Sequence, residues 1–335
     1  MSELRQNMAT KEWVIIATER ARRPREFVAT GKRPLADLPV HDATCPFCPG
    51  NEEASLESLR IPEVGAWQIR MVRNRYPALQ VEGERQRTFD GVHRQINGVG
   101  YHEILVETPV HNTCFALEPP ANVALALQAL QMRGTMIAQD PRVDHIIYFK
   151  NHGPLAGTSL VHPHVQLMAV PVVPLSIRNR IEEARRHFDN VGECVYCAML
   201  ADEQADGARL VAVTDHFVAF VPFAAGTPFH TWIVPRRHES SFLRATAAEI
   251  ADLGRMVGTV LRRLYVGLND PDYNWIIRSE PIRDSAVDYF HWYLTIVPRV
   301  AQPAGFELGS GMFINAALPE ESASFLREVR LADHG

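Results

Sequence analysis

Apolar positions along this chain fall into short runs and longer stripes, and their order repeats. Short apolar or alternating runs predict strands at Trp13–Ala17, Trp67–Val72, Tyr101–Glu107, His145–Lys150 and Val165–Val170. A second series follows at Phe217–Val221, Thr231–Val234, Asn274–Arg278 and Tyr289–Val297. Between the strands lie stripes of helical period. Residues 119–139 open with Pro119-Pro120 and set Val123, Leu127, Leu130 and Ile137 on one face. Residues 247–268 do the same with Ile250, Leu253, Val257, Leu261, Leu264 and Leu268. Pro171 to Pro174 ends the fifth strand, and a charged helix over Arg178–Asp189 links the two series. The fold class is therefore α+β in two tandem units, 1–178 and 188–335, each a mostly antiparallel sheet with packed helices. The remainder of residues 1–40 reads as irregular. It includes a basic turn, Arg20 to Arg25, that suits a phosphate contact or, more simply, a solvated loop.

Chemistry-bearing residues follow the same repeat. Each half opens with a CxxC pair and continues with strand, Pro-x-His or Pro-x-x-His, helix, strand and a further histidine. The first half yields Cys45, Cys48, His111 and His162, and the second yields Cys194, Cys197, His238 and His291. Two thiolates and two imidazoles form a closed tetrahedral set for structural zinc, so two zinc ions per chain are expected. Cys45-Pro46-Phe47-Cys48-Pro49-Gly50 is a tight turn that can aim both thiolates at one ion. Two other readings stay open. With 14 histidines in the chain, some pairing arises by chance at strand ends. A redox role for the CxxC pairs is disfavoured because neither opens an obvious helix after a strand.

Composition narrows the class. With 335 residues, the chain is long enough for about two domains of roughly 150 residues each. A net charge of -5 gives no basic footprint for nucleic acid. No apolar run approaches the ~18 residues of a membrane span. Residues 1–13 lack the apolar core of a signal peptide, so a cytoplasmic location is expected. In that reducing setting four of the five cysteines read as metal ligands rather than disulfides.

One stretch fits none of these structural roles. Asn151–Gln166 reads NHGPLAGTSLVHPHVQ, a loop rich in glycine and hydroxyls that runs into paired imidazoles at the start of a strand. A neutral imidazole attacks phosphorus, and the nucleotidyl-imidazole so formed can pass its group onward. With His162 assigned to the metal, His164 is the candidate nucleophile. Gln166 lies two residues on, on the same strand face, and can donate to a phosphoryl oxygen. Gly153, Gly157, Thr158 and Ser159 offer backbone and hydroxyl donors to phosphate, and Asn151 is a further donor. Read alone, the HxH pair also fits a second metal site or a structural pair.

These residues resemble a known family. Asn151–Gln166 is similar to the active-site segment of the galactose-1-phosphate uridylyltransferases, within the histidine triad superfamily. CPFCPGN at Cys45, ETPVH at Glu107–His111 and FVPF…VPRRH at Phe220–His238 resemble the same family across nearly the whole chain. The resemblance implies two histidine-triad-like domains, a covalent nucleotidyl-histidine on His164, ping-pong exchange, and zinc on Cys45, Cys48, His111 and His162. It places Asn74 near the ribose and implies a homodimer whose C-terminal segment reaches the neighbour's site. Within the family the likeness is greatest to the ADP-glucose phosphorylase branch, which carries the second zinc site. That branch shares PVVP at Pro171, NDPDYN at Asn269, HWYLTIVP at His291 and GFELGSG at Gly305.

Three functions follow in order of preference. The first is a nucleotidyltransferase that moves a nucleoside monophosphate between a UDP- or ADP-hexose and hexose 1-phosphate or phosphate, with no redox cofactor. The second is a nucleotide-sugar hydrolase, and the third is a zinc-stabilised nucleotide-binding module. The intact nucleophile, glutamine and phosphate loop count against the third.

Overall fold

The computed structural model describes residues 2–18, 23–32, 34–284 and 286–331, which leaves residues 20–22 of the basic turn outside the description. The first half of the chain holds β1 (Glu3–Gln6), β2 (Trp13–Ile16), β3 (Glu57–Ile61), β4 (Ile69–Arg73), β5 (Arg87–Asp90), β6 (His93–Ile96) and β7 (Tyr101–Val106). Helix α1 (Pro120–Ile137), β8 (His145–His152) and β9 (His164–Val170) follow. Helices α2 (Leu175–Val191) and α3 (Val195–Asp206) connect to β10 (Leu210–Val213), β11 (Phe217–Phe220) and β12 (Thr231–Pro235). The chain ends with α4 (Ala247–Leu268), β13 (Tyr273–Arg278), β14 (Tyr293–Pro298), α5 (Gly305–Ser310), β15 (Phe313–Asn315) and α6 (Pro319–Glu328).

Ten strands form one antiparallel sheet in the order β10-β11-β12-β14-β13-β8-β9-β7-β4-β3. Read inward from each edge, both halves have the same order: first, second, third, fifth, fourth. The two fourth strands, β8 and β13, meet antiparallel, and Phe149 faces Ile276 near the middle of the seam. The fold is thus α+β with a large antiparallel sheet, and the halves share that sheet instead of standing apart.

The helical stripes explain how the sheet is held. All six apolar residues of the α4 stripe are buried, as are Val123, Leu127, Leu130 and Ile137 of α1. Both helices lie on one face of the sheet, in a single core with Leu105, Val165 and Leu167 from the first half and Trp275, Ile277, Leu294 and Ile296 from the second. Helix α4 starts where Thr246 and Glu249 form a reciprocal capping box and stops at Asn269, which takes a left-handed conformation. On the opposite face, Ile177 and Ile181 of α2 and Val195, Tyr196 and Leu200 of α3 cover Val218, Phe220, Trp232 and Tyr293 of the second half. These linker helices therefore close one face over the second half.

Three expectations need correction. The last strand does not include His291. It starts at Tyr293, because the backbone N–H of Trp292 bonds Glu239 O and draws the preceding residues out of the sheet. Residues 1–40 are less irregular than their composition suggests. β1 pairs antiparallel with β2, and β2 pairs parallel with β15. Cys194 does open a helix, capping α3. Boundaries shift elsewhere by a few residues, the linker helix beginning at Leu175 rather than Arg178. Among the described residues, no helix is long and apolar enough to cross a membrane.

The contact between α1 and α4 can be tested at Gly254. A Cβ there would sit 2.6 Å from Ala124 Cβ and 2.7 Å from Ala124 N. Gly254→Ala is expected to lower stability by about 1–3 kcal/mol, against the gain of up to about 1 kcal/mol that alanine brings to an unhindered helix. Urea denaturation measures the sign, and a stabilised variant would contradict this close packing.

Candidate active site and metal-ligand clusters

Two groups of four ligand atoms, each within 4.8 Å of one another, are Cys45, Cys48, His111, His162 and Cys194, Cys197, His238, His291. The eight residues come from well-separated parts of the sequence, and the sheet brings them together. In the first group Cys48 Sγ lies 3.4 Å from His111 Nδ1 and 3.5 Å from His162 Nδ1, and Cys45 Sγ lies 3.8 Å from His162 Nδ1. In the second, Cys197 Sγ lies 3.3 Å from His238 Nδ1 and 3.5 Å from His291 Nδ1. Tetrahedral zinc bonds of about 2.3 Å to sulfur and about 2.0 Å to nitrogen separate the two ligand atoms by roughly 3.6 Å, so both groups fit such an ion.

The ring tautomers agree with this. His162 Nε2 donates to Thr108 O at 2.8 Å and His238 Nε2 donates to Val287 O at 3.2 Å, which leaves each Nδ1 lone pair directed at the thiols. Burial pushes the Cys45 thiol pKa up. A bound cation would oppose that shift by favouring the thiolate. At the second group, Cys194 caps α3 but follows α2 and its Gly192 cap, not a strand. The helix start does not make it a strand-fed redox motif, and the neighbouring imidazoles favour metal.

His164 is the first residue of β9 and is 6% exposed. Its Nδ1 donates to His162 O at 2.8 Å, which leaves Nε2 with its lone pair. Burial draws its pKa down to about 4, the carbonyl bond opposes this, and the charge of Lys150 adds to it. The ring is therefore neutral at neutral pH, the form a nucleophile needs. Behind it on the helix side, Lys150 Nζ bonds Glu107 and reaches His164 O at 3.4 Å. Glu107 N donates to Pro163 O at 3.2 Å. The His162-Pro163-His164 backbone is thus gripped from β7 and β8 together.

The loop before it is shaped by Asp272. Leu155 N donates to Asp272 Oδ2 at 2.7 Å, and a Cβ on Gly153 would lie 2.0 Å from Asp272 Oδ1. Gly153 and Gly157 have φ of 83° and 88°, values that glycine adopts without strain. Thr158 Oγ1 donates to Leu160 O at 3.0 Å, so its hydroxyl is engaged within the loop, and Ser159 is exposed. Asn151 Oδ1 accepts from Asn274 Nδ2 at 2.8 Å, and Asn274 Oδ1 accepts from Arg299 Nε at 2.6 Å. This relay turns the Asn151 amide hydrogens away from the seam.

Gln166 faces Ile104 across the β7–β9 ladder. Its Oε1 lies 3.0 Å from His102 Nε2, and Asn74 Nδ2 lies 3.1 Å from that same nitrogen. Asn74, His102, Leu56, Pro77 and Leu79 line a groove of about 300 Å³. A second groove, about 570 Å³, runs along Lys32, Leu155, Asp272 and Arg299. His102, Asn274, Asp272 and Arg299 were not picked out from the sequence. Alternation along Tyr101–Glu107 put His102 on one strand face, but nothing in it named Gln166 as the partner.

Comparisons with known proteins identify the family. Residues 1–174 match the model of the family described as galactose-1-phosphate uridyl transferase, N-terminal domain. An ADP-glucose phosphorylase of Arabidopsis thaliana is 37% identical over 98% of this chain and 93% of its own length. A galactose-1-phosphate uridylyltransferase of Thermotoga maritima is 30% identical over 99% of both chains. The crystal structure of the Arabidopsis thaliana ADP-glucose phosphorylase with bound ADP-glucose has a TM-score of 0.84 and 35% identity, covering 99% of this chain and 100% of that one.

The ligand groups generate a direct test. With two groups among the described residues, metal analysis is expected to find two zinc equivalents. Cys48→Ala should leave one, and Cys48→Ala combined with Cys197→Ala none. Each loss should lower the melting temperature, because ion binding favours the folded state. A single equivalent in the unaltered protein would deny one of the groups its ion.

Proposed function

Since the chain belongs to the galactose-1-phosphate uridylyltransferase family, we propose that it transfers a nucleoside monophosphate from a nucleotide-sugar to a phosphate-bearing acceptor through a nucleotidyl-His164 intermediate. The observation that carries this reading is the single orientation of His164, with Nδ1–H held by His162 O and a neutral, unengaged Nε2.

In the first step His164 Nε2 attacks the α-phosphorus. The new N–P bond replaces the P–O bond to the leaving sugar 1-phosphate. In the second step a phosphate oxygen of the acceptor attacks the same phosphorus, breaks the N–P bond and returns the imidazole to its neutral form. Gln166 donates to a phosphoryl oxygen as charge develops on it. Asn151, with its amide hydrogens turned outward by Asn274, is a further donor. Gly157 and the Thr158–Ser159 backbone shape the cradle beside them. Asn74 lies in the groove proposed for the nucleoside.

Zinc supplies no step in this scheme. Bound by Cys45, Cys48, His111 and His162 it would fix the ring and carbonyl on which His164 depends, and bound by Cys194, Cys197, His238 and His291 it would anchor α3 to the second half. The two halves are proposed as copies of one histidine-triad-like unit, supported by their shared strand order.

The acceptor distinguishes two forms of the reaction. Hexose 1-phosphate makes it a uridylyltransferase, and inorganic phosphate makes it a phosphorylase. Likeness to an ADP-glucose phosphorylase along 98% of the chain favours testing phosphate with ADP-glucose first.

Incubation with a nucleotide-sugar labelled at the α-phosphorus is expected to give one burst of labelled protein without acceptor, and turnover once acceptor is added. His164→Asn should lose both, with exchange falling by about 10⁴-fold or more. Continuous release of nucleoside monophosphate to water would make the protein a hydrolase. Full exchange by His164→Asn would remove the proposed intermediate.

A further inference from the structure

We infer that His102 is a positioning residue that sets the polarity of the Gln166 side-chain amide, and so decides which end of that amide meets the transferred phosphoryl group. This inference rests on the transferase reading above.

Two backbone N–H groups, which can only donate, fix the hydrogen bonds. Ala78 N donates to His102 Nδ1 at 3.2 Å, so that ring nitrogen is the acceptor and the proton sits on Nε2. Nε2–H then donates to Gln166 Oε1 at 3.0 Å. The Gln166 oxygen is thereby occupied, and its NH2 end is left for the pocket. Tyr76 N donates to Asn74 Oδ1 at 2.9 Å, which leaves Asn74 Nδ2 as the atom beside the same imidazole. Both Asn74 Nδ2 and His102 Nε2 are donors. The Asn74 hydrogens therefore find no acceptor on the ring and are presented to the groove. The imidazole turns the Gln166 amide and Tyr76 N turns that of Asn74, so that both offer N–H to a ligand rich in oxygen.

Without that constraint an amide can present either end. An oxygen aimed at a phosphoryl oxygen would repel the charge that develops there, so a Gln166 free to turn loses part of its donor role. The matching position in the second half shows that the polarity is not a by-product of the fold. Gln166 is the third residue of β9 and faces Ile104, two residues after His102. Thr295 is the third residue of β14 and faces Trp232, two residues after His230. His230 Nε2 lies 2.7 Å from Thr295 Oγ1, yet it also accepts from Trp232 Nε1 at 3.2 Å. The second histidine thus presents a lone pair where His102 presents a proton. Only the half that carries His164 has a donor at this place.

A double-mutant cycle tests the assignment, read as the rate of labelled-enzyme formation and as kcat and KM separately. His102→Leu is expected to slow labelling by on the order of 10–10²-fold, part of the 10²–10³-fold cost of deleting a charge-stabilising donor outright. KM should stay nearly constant, because the lost interaction belongs to the transition state. Gln166→Ala should slow labelling on its own. Adding His102→Leu to it should cost no more than about 2-fold further. His102→Gln, whose amide can still donate to Gln166, should recover most of the rate. If the two losses multiply, or if His102→Leu labels at the wild-type rate, His102 does not act through Gln166. Should His102→Leu fold poorly, the same cycle is read with His102→Gln against His102→Asn in the two Gln166 backgrounds, where equal rates would also overturn the assignment. Failure of the wild-type protein to form labelled enzyme would sink the transferase reading itself, an outcome distinct from all of these.

Discussion

The chemistry proposed for this protein depends on where one histidine carbonyl points. His162 O accepts the Nδ1–H of His164, and that bond determines which nitrogen of His164 is free. The carbonyl in turn is placed by its own ring, which is tied by Nε2–H to Thr108 O and directed by Nδ1 at the Cys45 and Cys48 thiols. A candidate metal-ligand cluster and the proposed nucleophile are thus two ends of one short backbone segment. Proline between them removes an N–H and restricts φ, so orientation passes from the first ring to the second with little slack.

Buried charge supports the same segment at some cost. Lys150 and Glu107 are both about 1% exposed and pair with each other under His164. Removing two charges from water is expensive even when they pair, and a well-packed apolar pair would serve stability equally. The second half has that substitution. Continuing its register puts Ile277 and Pro235 where the first half has Lys150 and Glu107. The ion pair lies behind the proposed nucleophile, where it also holds the His164 carbonyl.

Differences between the halves follow the same pattern across the sheet. Tyr293 begins β14 as His164 begins β9, stacks on Trp232 with ring centroids 4.3 Å apart, and accepts from Arg180 Nη1 at 3.1 Å. Helices α2 and α3 bury that face under an apolar cluster. On the first half the equivalent face keeps a groove beside His102 and Asn74. The second half also contributes to the loop before His164. Asp272 shapes the turn at Gly153, and Arg299 acts on Asn151 through Asn274. The antiparallel seam between β8 and β13 makes that contribution possible, because it sets the fourth strands of the two halves side by side.

Much of this was written in local pattern. The α4 stripe from Ala247 to Leu268, the α1 stripe and most central strands follow from periodicity, because a buried face must be apolar at the period of its own element. The repeated order of cysteines and histidines grouped the eight residues that the structure brings into two clusters, since tetrahedral sites need few residue types at regular places. Short polar strands such as β5 and β6 are exposed, with no buried face to leave a pattern. Helix α3 was hidden because its start carries a CxxC pair, which was read for its metal-binding chemistry. The polarity of the amides at Gln166, Asn74 and Asn151 was not legible at all. Those side chains take their direction from His102, Tyr76 N and Asn274, residues on neighbouring strands or turns. Sequence determines which groups can react. Register across the sheet decides which atom of each faces the substrate, because a hydrogen bond has a direction and its partner is supplied only when distant strands are laid side by side.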